Sequence, residues 1–295
     1  MNLPKPRFEY LPYLLILPAM LGICVFFFYP FIVNIYTSFM TGTVQAGTLR
    51  FVGIGNYKYV LGDPLLVKAL GRTFVWTFMV TVFQFLSGFT VALVCNSGPY
   101  ITRRLKPVFI LPWAVPSIVT TLSWRWMLNG DFGVLNSVLY RLGIIKEYIG
   151  WLSNPGLVMF SVIFMAVWKG APFYVLMIFA GLQTVPAELY EAARIDGANG
   201  IYMFRKITLP LLKNLLVMSL TLGVIWTTNY FEGIYALTGG GPARATETLP
   251  LYIYNTAFAY YRMNDAVVPS ILLFLICSLL GLFYIWFGKK GQEEA

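Results

Sequence analysis

Residues 188–212 read ELYEAARIDGANGIYMFRKITLPLL, a charged stretch between two long apolar runs. Glu188, Glu191, Arg194, Asp196, Arg205 and Lys206 crowd into it, although the 295-residue chain is only 11% charged. The local chemistry predicts a helix-turn-helix elbow. Pro186 suits a first helical turn, Glu188 complements the positive helix start, and Arg194 falls in the last turn. Gly197 supplies a left-handed stop, and a second helix begins near Asn199 and runs toward Pro210. Leu189, Ala192 and Ala193 share a face by three- and four-residue spacing, so a small-residue surface is open to close approach by another backbone.

Outward from the elbow the chain is built for lipid. It is 58% hydrophobic and 17% aromatic, with a mean hydropathy of +0.71, whereas soluble domains carry roughly 25% charged residues. Crossing about 30 Å of hydrocarbon takes about 20 apolar residues in a helix. Six stretches qualify, at about 13–35, 69–95, 108–127, 157–182, 211–229 and 266–287, and the elbow occupies the loop at about 183–210. Pro112 and Pro116 are expected to kink the third span. Lys5 and Arg7 before YLPYLLILPAMLGICVFFFYPF imitate a signal peptide. That apolar run is longer than an h-region and lacks an A-x-A type site, so it reads as an uncleaved first span. The expected fold is all-α, a polytopic membrane protein of one domain (1–295) with six transmembrane helices and a cytoplasmic elbow.

The net charge of +9 is distributed as topology signals. With the N-terminus inside, Lys5, Arg7, Arg103, Arg104, Lys106, Arg194, Arg205, Lys206, Lys213, Lys289 and Lys290 are cytoplasmic. Arg50, Lys58, Lys68, Arg141, Lys146, Arg244 and Arg262 fall in the longer outer loops. Eleven cations in short inner segments against seven outside follow the positive-inside rule and place both termini in the cytoplasm. The cations therefore meet lipid headgroups, not nucleic acid. Cys24, Cys95 and Cys277 lie inside apolar runs, which speaks against a disulfide framework. The chain has no histidine, so the commonest metal ligand is missing. The outer loops FVGIGNYKYVLGDP, LNGDFGVLN and LTGGGPARATETLP carry turn chemistry that favours ordered structure.

Glu191-Ala192-Ala193, Gly197, Ile207, Leu209 and Pro210 have the spacing of the EAA motif of ABC-importer permeases, EAA-x3-G-x9-I-x-L-P, and Asp196 agrees with it. That pattern often has proline where Asn214 stands. LPWAVPSIVTTLSWRWMLNGDFGVLN (111–136), WKGAPF (168–173) and LTGGGPARATETLPLYIYNTAF (237–258) resemble the carbohydrate branch of these permeases, which includes the maltose-type membrane subunits. The resemblance implies an importer half, completed by a second permease subunit and fed with sugar by an external binding protein. Cytoplasmic ATPase subunits would dock at the elbow, through Glu188, Glu191, Ala192, Ala193, Asp196, Gly197, Ala198, Ile207, Leu209 and Pro210. ATP and magnesium would sit on that partner, since the chain has no G-x-x-x-x-G-K-[ST] phosphate loop and no cofactor is expected in it.

Two groups inside the spans are candidates for a substrate path. Lys169 lies near the middle of the fourth span, where an ammonium must face protein or water. It shares a face with Phe173, with Gly170 beside it. Either Lys169 meets substrate, or it hydrogen-bonds helix-end carbonyls or a buried acid. Near the end of the fifth span, Trp226, Thr227, Asn229, Tyr230 and Glu232 combine apolar rings with donors and acceptors. Rings cover the C–H faces of a sugar while polar groups satisfy its hydroxyls. The same rings could instead form an interfacial aromatic belt. Gln84 and Arg72 in the second span and Arg125, snorkelling at the end of the third, are read as structural. An ion-coupled secondary transporter is disfavoured, because no carboxylate lies within a span, Glu232 being marginal, and no inverted repeat is evident. A membrane enzyme would need paired carboxylates or a nucleophile–base pair, and the sequence shows neither. A permease of the same class for a non-sugar solute is the nearer alternative.

Overall fold

The structure is a computed structural model that describes residues 10–42, 48, 50–97 and 106–293. Lys5, Arg7, Arg103 and Arg104, used for the orientation, lie outside the described residues. In chain order the helices are α1 (Pro12–Ser38), α2 (Gly55–Leu61), α3 (Pro64–Ser97), α4 (Lys106–Ala114), α5 (Ser117–Met127), α6 (Val134–Arg141), α7 (Val158–Leu182), α8 (Ala187–Ile195), α9 (Gly200–Thr228), α10 (Glu232–Thr238), α11 (Leu249–Tyr254) and α12 (Met263–Glu293). A two-residue hairpin pairs Met40 with Phe51 and Thr41 with Arg50.

Among the described residues, α1, α3, α7, α9 and α12 are long and apolar enough to span a bilayer, and α4 with α5 make a sixth crossing only as a pair bent by 99°. The kink expected in the third span is therefore a full break. Pro116 cannot donate a backbone hydrogen bond, and its ring pushes Val115 out of the helical region. The first span has none of its most apolar stretch buried within the chain. It touches the bundle near its end, where Phe31 meets Phe274 at 4.5 Å between ring centroids.

The centre of the bundle is α3 against α7. They run in the same direction: Gln84 Nε2 donates to the Ala166 carbonyl at 2.8 Å, and further along Ala92 packs with Ile178 and Leu182. Their approach is close because Gly88 faces α7. A Cβ there would lie 2.5 Å from Tyr174 Cβ and 2.9 Å from the Ala171 carbonyl oxygen. Without a hydrophobic drive between helices in lipid, such small residues make packing contact possible. α9 runs antiparallel to both, with Leu212 and Leu216 beside Leu182 at the elbow end and Thr227 accepting a 2.9 Å bond from Trp76 Nε1 at the other.

At two of the prolines inside long helices the coil widens locally. π-helical turns at Cys24–Phe28 and Phe204–Thr208 each stop just before Tyr29-Pro30 and Leu209-Pro210, where a looser coil relieves the clash with the preceding turn. The helix beginning near Asn199 therefore passes through Pro210. The fifth span, expected at 211–229, belongs to one continuous element, Gly200–Thr228.

The elbow has the predicted form. Gly197 adopts φ +79°, its amide donates to Arg194 O at 3.1 Å, and the Ala198 amide donates to Ala193 O at 2.9 Å, the paired bonds of a Schellman stop. Asn199 caps the next helix by accepting from the Tyr202 amide. α8 has no buried residue. One tie crosses the elbow: the Tyr190 hydroxyl lies 2.8 Å from Thr208 Oγ1.

The opposite end of the bundle is closed by ordered loops. Buried Glu247 accepts from Arg244 at 3.3 Å and from Asn255 at 2.9 Å. The Leu249 amide donates to Thr73 Oγ1 at 2.7 Å and the Tyr252 hydroxyl to Asp63 at 2.8 Å.

Gly88→Val should push α3 from α7 and cost roughly 1–3 kcal/mol by overpacking. Thermal unfolding of the purified chain in detergent is expected to show a lowered midpoint, and an unchanged midpoint would contradict the close crossing.

Candidate functional site

Six of the residues singled out for a substrate path converge. Lys169, Gly170 and Phe173 on α7, with Trp226, Thr227 and the following Tyr230 from α9, line one cavity of about 190 Å³ in the middle of the bundle. Trp76 and Gln84 on α3 form another wall, and Trp113 and Ser117, on either side of the break between α4 and α5, complete it.

Rings set the shape. Trp76 and Tyr230 stack at 5.8 Å with 17° between planes, while Trp226 meets Phe173 at 5.0 Å and 63°. Trp76 is fixed by its bond to the Thr227 carbonyl, so its ring is a rigid surface. Gln84 uses its amide nitrogen on Ala166, and Gly170 lets the amide pass across α7: a Cβ at Gly170 would collide with the Gln84 side chain. Tyr174 is 1% exposed, lines the cavity, and its hydroxyl has no hydrogen-bond partner. That hydroxyl lies where a Cβ on Gly223 would stand. Lys169 Nζ donates to the carbonyls of Pro112 at 2.9 Å and Trp113 at 3.2 Å, and to that of Val115. The lysine thus makes helix-end bonds while standing in the cavity wall.

Asn229 and Glu232 lie outside the cavity. α9 ends at Thr228, so Asn229 turns away and bonds to Ile225 O at 2.9 Å and Cys277 Sγ at 3.0 Å; Glu232 is exposed in the first turn of α10. Sequence reading assigned Gln84 to structure and passed over Trp76, Trp113, Tyr174 and Gly223. The only available sign for Gln84 was an uncharged amide isolated in an apolar run. Tyr174 and Gly223 could be recognised only through each other. Of the coupling candidates, Glu188, Glu191, Ala192 and Asp196 are exposed on α8 or its stop, Ala193 and Ala198 are half-buried, and Ile207 and Leu209 are half-buried where α9 enters the bundle.

A bundle of membrane-spanning helices with an aromatic and polar cavity at its centre defines a multi-pass permease. Residues 84–290 match the family model described as binding-protein-dependent transport system inner membrane component, and the chain belongs to that family. A trehalose/maltose transport system permease of Thermococcus litoralis is 36% identical over 288 residues, covering 98% of this chain and 96% of that protein. A sulfoquinovosyl glycerol transport system permease of Agrobacterium fabrum is 32% identical over 273 residues, covering 92% and 88%. The crystal structure of a bacterial alginate ABC transporter, in complex with an alginate pentasaccharide-bound periplasmic protein, contains a chain of similar fold. Its TM-score is 0.82 at 21% identity, over 94% of this chain and 93% of that one.

Tyr174→Phe removes a buried hydroxyl that satisfies no partner. Leaving such a group unpaired costs about 1–3 kcal/mol, so the variant's unfolding midpoint in detergent should equal or exceed that of the parent. A clear drop would show that the hydroxyl is bonded in the folded chain.

Proposed function

We propose that this chain is one membrane half of an ATP-driven sugar importer, and that the cavity between α3, α7 and α9 is its share of the sugar path. The observation that carries this reading is the pairing of ring faces with polar groups at mid-bundle, the Gln84 amide oxygen among them. A sugar needs both: ring faces for its C–H surfaces and bonds for its hydroxyls. The two relatives transport a disaccharide and a sugar glycoside by name, which agrees with it.

The cavity of about 190 Å³ falls short of the roughly 300–1,000 Å³ of complete ligand pockets. Trp113 and Trp226 remain 51% and 54% exposed beside it. A second permease subunit facing them would complete the enclosure. The cytoplasmic ATPase subunits would bind α8, whose surface carries nothing of the chain's own core and whose Ile195 is 87% exposed. ATP and magnesium belong to that partner. The loops at the other end would meet the external sugar-binding protein. This orientation places both termini in the cytoplasm, following the Lys and Arg asymmetry.

The experiment is uptake of labelled disaccharides by proteoliposomes holding the chain, its companion permease, the ATPase and the binding protein. Trp226→Ala and Tyr230→Ala should each remove a stacking surface worth on the order of 1 kcal/mol and weaken uptake severalfold, with the complex still assembled. Unchanged kinetics in both would refute the cavity as the sugar path.

Coupling is tested separately. Gly197→Val forces a β-branched residue into a left-handed turn at a cost of roughly 1–2 kcal/mol, with free space around the new side chain. Gly197→Val and Glu191→Lys are expected to insert normally yet lose uptake and retain little ATPase on copurification. Full retention of the ATPase by both would remove the elbow as its docking site.

A further inference from the structure

The break in the third span leaves backbone carbonyls without donors. In an uninterrupted helix the Pro112 carbonyl would accept from the residue four positions on, and that residue is Pro116, which has no N–H. Beyond the 99° bend, the Ser117 amide belongs to the first turn of α5 and is turned away from the Trp113 carbonyl. Unsatisfied carbonyls inside a bilayer are costly.

Lys169 stands at this point. Its ammonium has three N–H groups, and Nζ reaches three carbonyls of the broken end, those of Pro112, Trp113 and Val115. The end of α4 also carries the negative pole of its helix, which favours a cation. Lys169 forms no ion pair among the described residues, so no carboxylate competes for its donors. Two of the residues it holds in place, Trp113 directly and Ser117 across the bend, are cavity wall.

We propose that Lys169 is a positioning residue of the translocation cavity: its ammonium replaces the backbone donor that Pro116 removes, holds the bend between α4 and α5, and thereby sets Trp113 as a wall of the site. The link to transport rests on the reading of the cavity as the sugar path; the clamp on the bend does not. Because all three donors are spent on carbonyls, the lysine shapes the site without bonding the sugar.

The test uses the complete importer in lipid nanodiscs and proteoliposomes, with Lys169→Met and Lys169→Arg. Amide hydrogen exchange over 108–118 reads the bend, and the KM and maximal rate of disaccharide uptake read the site. Lys169→Met is expected to speed exchange over 108–118 and raise KM, each about tenfold, the scale of losing bonds to a charged donor, with a smaller change in maximal rate. Lys169→Arg, which keeps the charge and enough donors, should restore both most of the way. Raised KM with unaltered exchange would mean that the lysine contacts sugar directly and would overturn the proposal. So would faster exchange with parental KM, which would disconnect the bend from the site. If Lys169→Met alone fails to assemble, Pro116→Ala is added to return an amide to the Pro112 carbonyl. Recovered assembly with slow exchange supports the clamp, and continued failure rejects it. Absence of disaccharide uptake by the parental complex would instead refute the sugar reading while the exchange result stands.

Discussion

Every backbone polar group that lies in hydrocarbon must find a partner inside the protein, and this constraint governs the architecture of the chain. Helical hydrogen bonds meet it along most of each span. Two different repairs are seen where proline interrupts a ladder, one at Pro30 and Pro210 and the other at Pro116. At Pro30 and Pro210 a π-helical turn widens the coil and the helix continues. At Pro116 the helix breaks, and the carbonyls of Pro112, Trp113 and Val115 take their hydrogen bonds from Lys169 on another helix. The second repair has a spatial consequence that the first lacks. It opens a bend in the middle of the bundle and fixes α4 and α5 to α7.

The cavity follows from that bend and from small residues on the neighbouring helices. Gly88 brings α3 against α7, Gly170 admits Gln84, and Gly223 leaves room for the Tyr174 hydroxyl. A Cβ at any of the three would collide with the group now packed against it. The same close packing fixes Trp76, whose indole nitrogen is held by Thr227. On the proposed reading of the cavity as the sugar path, the Trp76 ring has little freedom left to lose on binding.

The elbow and the cavity share one helix. Gly200–Thr228 begins beside the turn at Gly197 and ends at the Trp226 and Tyr230 wall. Because the helix continues through Pro210, and because Tyr190 is tied to Thr208, α8 has a short covalent and hydrogen-bonded connection to the cavity. Such a route gives coupling between two sites a physical carrier. α8 buries no residue, and Trp113 and Trp226 remain about half exposed.

The all-α class, the presence of several apolar spans and the helix-turn-helix form of the elbow were legible from the sequence, because each depends on local or near-local chemistry. Apolar run length reports the hydrocarbon thickness, and Gly197 with Asn199 dictates a stop and a cap within a few residues. That six of the singled-out residues line one cavity was also within reach of local spacing, since Lys169, Gly170 and Phe173 share a helix, and Trp226, Thr227 and Tyr230 lie within five positions at the end of α9. What local spacing does not contain is the pairing across helices. That the third span breaks and does not merely kink, that Lys169 spends its donors on α4, that Gln84 and Tyr174 join the wall while Asn229 and Glu232 fall outside it: each of these depends on which faces of α3, α4, α7 and α9 meet. Only the tertiary packing decides that, because the contacts join residues up to 151 positions apart.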